Sequence, residues 1–158
     1  LKSDDPESVA KHLVWHLQQA GYDLAKGPKP ADIVIALRER AQTLKEMAEK
    51  SAVWFDPLTQ YDDKAVAKHL TAAVAAPLAD MRSRLAALEA WTVDAIEVAF
   101  HATVEASGLG MGKIAQPLRV AITGTQVSPD ISYTIYLAGQ EEAVRRIDAA
   151  LAMLPAGT

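Results

Sequence analysis

Residues 92–108 read TVDAIEVAFHATVEASG, and this stretch decides the fold class most clearly. Thr92 carries a hydroxyl group suited to capping a helix N-terminus, and Asp94 lies near the positive end of the helix dipole. We therefore predict a helix that Thr92 caps and that reaches about Ala106. A glycine-containing loop is predicted to follow it over 108–112.

The composition extends this prediction to the whole chain. Alanine makes up about a fifth of the 158 residues, and Leu, Glu, Arg and Lys, which are strong helix formers, are frequent. Alternating apolar and polar runs, typical of half-buried strands, are almost missing. One β-leaning segment, residues 131–136, lies between helix signals. The predicted fold class is all-α, a bundle of helices in two subdomains.

Helix-start and helix-stop residues predict where the other helices lie. Asp4 or Asp5, followed by Pro6, begins a first helix that Gly21 ends. Further helices are predicted over 31–53, 62–69, 71–90, 113–124, 128–139 and 140–153.

Three features interrupt these helices. Pro77 is expected to kink or split the helix over 71–90. The pair Ser128–Pro129, a capping hydroxyl followed by proline, is expected to start a helix. The break at 55–61 is the predicted boundary between subdomain 1–61 and subdomain 62–158.

Net charge and cysteine content exclude several classes of protein. The net charge is −4 and the sequence pI about 5.5, which argues against a generic nucleic-acid coat but allows a small basic site. Cysteine is absent, so disulfides, zinc ribbons and thiol catalysis are excluded. The sequence lacks a membrane-spanning apolar run and a signal peptide, so we expect no membrane partner and a cytoplasmic location. Because the chain starts with Leu1, we expect it to be a piece of a longer protein.

Two histidines have the spacing of a helical metal site. His12 and His16 are four residues apart, as in helical zinc proteases. Those sites need a glutamate beside the first histidine, where this chain has Leu13. A metal-dependent hydrolase that uses His12 and His16 therefore remains an open interpretation. Histidines that pack against neighbours or face solvent are favoured over it.

The segment Gly108–Lys113 resembles a phosphate-binding loop without matching one. A Walker loop requires Gly and Ser or Thr where this chain has Ser107 and Ile114, and no strand precedes the segment. Lys113 at the start of a helix is still a candidate for a single phosphate contact, against the alternative of a plain linker.

The remaining conspicuous residues have structural explanations. Trp15, Trp54 and Trp91 are flanked by apolar residues and are predicted to lie in the core. The pairs Asp62–Asp63 and Glu141–Glu142 stand at predicted helix starts, where negative charge is favourable. We predict no catalytic residue.

Several strings, taken in order, strongly resemble the C-terminal anticodon-binding region of bacterial glutamyl-tRNA synthetases. The most specific is GKIAQPLRVAITG at 112–124. The others are KSDDP at 2–6 before HLVWH at 12–16, LRERAQTLKEM at 37–47, SP at 128–129 and GQEEA at 139–143. Together they cover essentially the whole chain.

The resemblance implies an all-helical cage that grips an anticodon loop. The parent enzyme would join glutamate to tRNA(Glu) on an N-terminal catalytic domain that uses ATP and Mg. That domain's signatures are absent here, so this piece is expected to hold no cofactor or metal and to catalyse nothing alone. Its expected partners are the tRNA(Glu) anticodon stem-loop and the parent's catalytic domain, not DNA, and we expect a monomer.

The resemblance also implies which residues contact the RNA. Arg40 matches the family position that reads the last anticodon base, and Arg119 matches a second contact. Ser128, Pro129 and Ile131 match the loop and helix start that bond and pack on the unstacked bases. An arginine at position 40 goes with rejection of glutamine tRNA.

Two residues depart from the family pattern near this site. Asp130 stands where glycine is usual, and Ser132 where an aromatic residue is common. The second change would remove a stacking contact worth about 1–3 kcal/mol per base. The alternative to RNA binding is a helical protein-interaction domain of a cytoplasmic bacterial protein, with the alanine-rich faces of 71–90 as its docking surface.

Overall fold

The structure is a computed structural model that describes residues 5–22, 24, 27–38, 41, 43–55, 58, 61–125 and 130–154. These residues form helices and no strand, so the all-α prediction is confirmed. The helices are α1 (Pro6–Gln19), α2 (Pro30–Leu37), α3 (Leu44–Lys50), α4 (Ala52–Phe55), α5 (Asp63–His69), α6 (Ala75–Ala86), α7 (Val93–Ser107), α8 (Met111–Thr123), α9 (Ile131–Ala138) and α10 (Gln140–Met153). The chain forms two compact units, Leu1–Pro57 and Leu58–Thr158. Among the described residues, none of the helices has the length and hydropathy that crossing a membrane requires.

Helix α1 organises the first unit. The Asp5 carboxylate accepts a hydrogen bond from the Ser8 backbone N–H (3.2 Å), and Gly21 follows the helix with φ +86°, so the predicted limits are confirmed. Val9, Leu13 and Leu17 bury the face of α1 that packs against α2 and α3. Burial of these apolar side chains holds the unit together.

The single long helix predicted over 31–53 is wrong. Helix α2 ends at Leu37, and α3 begins at Leu44 after a new N-cap, because the Thr43 hydroxyl accepts a hydrogen bond from the Glu46 N–H (3.1 Å). The sequence Thr-x-x-Glu at 43–46 is a capping-box pattern, so the signal was present but masked by the continuous apolar stripe. The interruption lets α2 and α3 each pack against α1.

The first unit contains a pair of stacked aromatic rings that packs against a glycine. Tyr22 and Phe55 stack face to face, with ring centroids 5.0 Å apart and planes within 2°. A Cβ atom on Gly27 would overlap the Phe55 ring. Any larger residue at position 27 would therefore force the Phe55 ring to move away from the backbone.

The second unit is built around α8, which is contacted by α5, α6, α7, α9 and α10. The Thr92 hydroxyl caps α7 by accepting from the Ala95 N–H (3.1 Å), and Asp62 caps α5, so both predicted starts are confirmed. The fully buried side chains of this core include Leu78, Met81, Leu85, Ile96, Ile114, Leu118, Ile122, Ile135 and Ile147.

Three predicted details of the second unit are wrong. The helix predicted over 71–90 is shorter than expected: a 3-10 helix at Ala72–Val74 leads into α6, which ends at Ala86, and Pro77 lies in the first turn of α6, where a helix needs no N–H from that position. Gly112 lies inside α8 rather than in the preceding loop. Helix α9 starts at Ile131 with Asp130 as its N-cap, later than the predicted start at 128.

The three tryptophans differ in burial. Trp54 is 6% exposed, as predicted, whereas Trp15 is 59% exposed and the prediction that it lies in the core is wrong. Residue 15 falls between Leu13 and Leu17 in sequence but points away from their common face, because successive helix positions turn by about 100°. Trp91 is half-buried, and its indole N–H donates to the Tyr136 carbonyl (3.0 Å).

We expect Gly27→Ala to destabilise the chain by about 1–2 kcal/mol, because the added methyl group must displace the Phe55 ring from its stack. Urea unfolding followed by circular dichroism measures this free energy. Gly112→Ala is the matched control, since its Cβ meets no atom within 4 Å and the residue is helical, so stability should stay equal or rise by about 0.5–1 kcal/mol. Equal stability of the two variants would contradict the role given to Gly27.

Candidate functional site

Helix α8 carries the most specific motif of the chain and presents two different faces. One face is buried in the core through Ile114, Ala115, Leu118, Ala121 and Ile122. On the other side, Lys113 is exposed and Arg119 is half-buried. The amphipathic pattern therefore places Arg119 at the edge of the core, on a regular helix rather than on a loop.

The turn after α8 is fixed by several hydrogen bonds. Gly124 adopts φ +79°, a left-handed conformation that favours glycine, and its N–H donates to the Val120 carbonyl (2.8 Å). The Thr123 hydroxyl donates to the Arg119 carbonyl (2.7 Å) and accepts from the Thr125 N–H (3.3 Å). The Asp62 N–H donates to the Gly124 carbonyl (2.8 Å), which ties the start of α5 to this turn.

A buried arginine joins α10 to the end of α8. Arg146 is only 4% exposed, and its Nη1 donates to the Ile122 carbonyl at 2.6 Å. Its Nε donates to Glu142 Oε1 at 2.8 Å. The last carbonyls of a helix lack intrahelical hydrogen-bond donors and carry partial negative charge. The Arg146 guanidinium supplies a donor to one of these carbonyls and a positive charge next to it.

Sequence reasoning missed Arg146. It assigned Glu142 to the start of a helix, which is correct, because Glu142 lies in the first turn of α10. The missed signal was the spacing of four residues between Glu142 and Arg146, which pairs opposite charges on one helix face. Burial of the pair depends on α8, which the sequence alone does not place.

Glu142 is held in its ionised form. Its partial burial raises the pKa of the carboxyl group, but hydrogen bonds from Arg145 and Arg146, together with their positive charges, outweigh this and leave the pKa below its usual value. The same hydrogen bond and charge raise the pKa of Arg145, which is an exposed residue.

The two departures from the family pattern, Asp130 and Ser132, both lie at the start of α9. The Asp130 carboxylate accepts from the Ser132 N–H (3.2 Å), so its charge stabilises the N-terminus of α9. Ser132 is 3% exposed, so position 132 does not face solvent in this chain. Ile131 is 5% exposed and belongs to the core of the second unit.

The N-terminus of α8 is open. Gly110 is the N-cap residue, and within the part of the chain that the structure describes no side chain caps this end. A Cβ on Gly110 or Gly112 would meet no atom within 4 Å. Lys113 lies in the first turn beside these glycines, where the backbone N–H groups favour an anion.

Three predicted contact residues, Arg40, Ser128 and Pro129, lie outside the described residues. For a metal, the described residues hold no group of three or more His, Asp or Glu side chains that could bind one. His12 is exposed and His16 half-buried on α1.

Comparison with known proteins decides the family. A model of the anticodon binding domain matches residues 8–151. The chain belongs to the anticodon-binding domain family. This match confirms the anticodon-binding part of the resemblance, and the relatives reported next confirm the resemblance to glutamyl-tRNA synthetases.

Relatives of this anticodon-binding domain are glutamate–tRNA ligases. Those of Xylella fastidiosa (strain M23) and Stenotrophomonas maltophilia (strain R551-3) are each 60% identical over 151 residues, covering 96% of this chain and 32% of theirs. The chain thus spans about a third of the length of these curated relatives. A crystal structure of a glutamate tRNA ligase from Elizabethkingia meningosepticum matches with a TM-score of 0.84 and 25% identity, over 96% of this chain and 30% of that one.

We expect Arg146→Met to destabilise the domain by about 1–3 kcal/mol, because the Ile122 carbonyl and one side of Glu142 lose their donor while the side-chain volume is kept. Thermal and urea unfolding measure the loss. Arg145→Met is the matched control, since Arg145 contacts the same carboxylate from an exposed position, and little change is expected. Equal losses in the two variants would contradict the importance of burial.

The lowered pKa of Glu142 predicts a pH dependence of stability. A carboxylate whose pKa is lower in the folded state stabilises the fold at pH values above its pKa in the unfolded chain, which is near the ordinary value of 4.5. This stabilisation is lost as the pH falls through the pKa of the folded state. The difference in unfolding free energy between the native chain and Glu142→Gln should therefore be constant near pH 7 and shrink below about pH 4.5. A difference that stays constant down to pH 3 would contradict this assignment.

Proposed function

We propose that this chain is the anticodon-binding part of a glutamate–tRNA ligase and that it holds the anticodon loop of tRNA(Glu). The observation that carries the proposal is the family match over 8–151, combined with the position of Arg119 on the accessible edge of α8. The longer protein would join glutamate to tRNA using ATP and Mg on a separate catalytic domain. This part contributes affinity and selection, works as a monomer in the cytoplasm and binds no cofactor of its own.

An anticodon loop suits a domain with net negative charge. Single-stranded RNA loops are recognised by splaying out bases, stacking them on side chains and bonding their edges. Such recognition needs a few charges at defined positions, not the extended basic surface that binds duplex backbones. A net charge of −4 is therefore compatible with selective RNA binding.

We assign the base contacts to two arginines. Arg40 and Arg119 offer planar, permanently charged groups of donors that match the acceptors of pyrimidine edges. Arg119 is carried by α8, whose final turn is held by the Thr123 hydroxyl and by Arg146 from α10. A base contact on such a supported helix is better positioned than one on a loop.

The proposal includes four further RNA contacts. Ser128 and Pro129 bond and pack on the unstacked bases. Ile131, at 5% exposure, offers only a small edge to a base and mainly positions the start of α9. Lys113 binds a backbone phosphate at the open N-terminus of α8. Within the chain, subdomain 1–61 contributes Arg40, and subdomain 62–158 contributes the other residues.

We expect Arg40→Ala and Arg119→Ala each to weaken binding of an anticodon stem-loop carrying a glutamate triplet by about 1–3 kcal/mol, the value of one good base contact. Fluorescence anisotropy at fixed salt measures the affinity. Arg84→Ala is the matched control, because Arg84 is an arginine on α6 paired with Asp80 (3.0 Å) and has no proposed RNA contact.

Three outcomes decide the proposal. Loss of binding in the two variants but not in the control supports it. An unchanged affinity in one variant removes that arginine from the site. Equal affinity of the native chain for a scrambled loop overturns anticodon recognition and favours a protein-interaction domain.

A further inference from the structure

The first unit contains a cavity with an exposed aromatic wall. Its volume is about 430 Å³, and it lies between α1 and α3. We call it the Trp15 pocket, and its side walls include Trp15, His16, Tyr22, Lys45 and Glu49. The volume falls in the range typical of small-molecule sites, which is large enough for one nucleobase and its ribose.

Trp15 has no packing role that would explain its position. The buried face of α1 consists of Leu13 and Leu17, both 0% exposed, whereas Trp15 is 59% exposed. Its ring contacts His16 edge-on, with centroids 4.9 Å apart, which leaves a broad indole surface accessible to solvent. A large aromatic side chain exposed beside a cavity is a surface available to a ligand.

Two residues that line the pocket, Tyr22 and Ala48, are packed against other parts of the first unit. Tyr22 is stacked on Phe55, whose ring packs closely against the backbone of Gly27. Ala48 on α3, which also lines the pocket, is buried. Trp15 therefore faces a preformed space, and binding there costs little ordering of the protein.

We propose that the Trp15 pocket receives an unstacked base of the same RNA loop that the domain holds, with Trp15 as the stacking surface and Lys45 as the contact to the adjacent phosphate. This inference rests on the function proposed above and adds a binding site to it. Every base has a π-face, so stacking on Trp15 adds affinity with little dependence on sequence. Glu49 on the same rim places a carboxylate where it accepts from an exocyclic amino group, which favours bases other than uracil.

The position of Lys45 in the chain connects this pocket with the proposed anticodon contact. Lys45 follows Arg40 by five residues, so their Cα atoms are at most about 18 Å apart whatever conformation the intervening backbone adopts. RNA held at Arg40 therefore has neighbouring nucleotides within reach of α3. We assign the pocket to RNA because the proposed function already supplies an RNA loop as the ligand of this domain.

The test uses this chain and the anticodon stem-loop with a glutamate triplet. Trp15→Ala should weaken binding by roughly 5- to 150-fold, the range that loss of one stacked base produces. Trp15→Phe keeps an aromatic face and should stay within a few-fold of the native affinity. Val98→Ala is a matched apolar control on α7, since Val98 is 70% exposed. Circular dichroism melts check that each variant is folded, and an exposed helical position tolerates alanine well.

Fluorescence supplies a readout that a structural role would not change. RNA binding should quench tryptophan emission in the native chain, and Trp15→Phe should lose most of that change because Trp54 is buried and Trp91 is hydrogen-bonded within the second unit. Lys45→Gln should reduce the slope of log affinity against log salt by about 0.7, as expected for one lost phosphate contact on a single strand.

The outcomes separate this inference from the proposed function. In one outcome, the native chain binds the stem-loop and Arg119→Ala weakens this binding, but Trp15→Ala does not weaken it and tryptophan emission is not quenched. The Trp15 pocket is then not an RNA site, and the proposed function stands. Such a result assigns the exposed tryptophan to another partner, such as the rest of the longer protein. If the native chain fails to bind the stem-loop, both proposals fall.

Discussion

The end of α8 depends on one buried cation. Arg146 reaches from α10 to the Ile122 carbonyl, and Glu142 neutralises its charge. Removing a guanidinium from water is costly, so the arrangement persists only because each partner is in place. The bond to Ile122 fixes the last turn of α8 relative to α10 and so supports the residues around it, including Arg119.

This constraint continues into the neighbouring elements. Thr123 ties the last turn of α8 to the residues after it, and Asp62 ties the same turn to α5. At the start of α9, Asp130 serves as a helix cap. The start of α5 and the turn after α8 are thereby joined at the end of the helix that carries Arg119.

Local signals predicted the helices that have strong caps. Thr92 and Asp62 are capping residues in the sequence and in the structure, because a cap depends only on neighbours a few residues away. The break between α2 and α3 was missed, since an apolar stripe through Leu37 and Met47 looks continuous whether or not the backbone is interrupted. Trp15 was misplaced because apolar neighbours in sequence do not determine on which side of a helix a residue lies.

The sequence by itself determined the helical class, most helix limits and the anticodon-binding family, since these follow from composition, caps and a specific string around Arg119. Only the tertiary structure decided that Arg146 is buried against α8, that Ile131 and Ser132 lie within the core, and that Trp15 lines an open pocket. The physical reason is that helix formation and capping are governed by residues within one or two turns. Burial and pocket shape depend instead on which distant helices pack together.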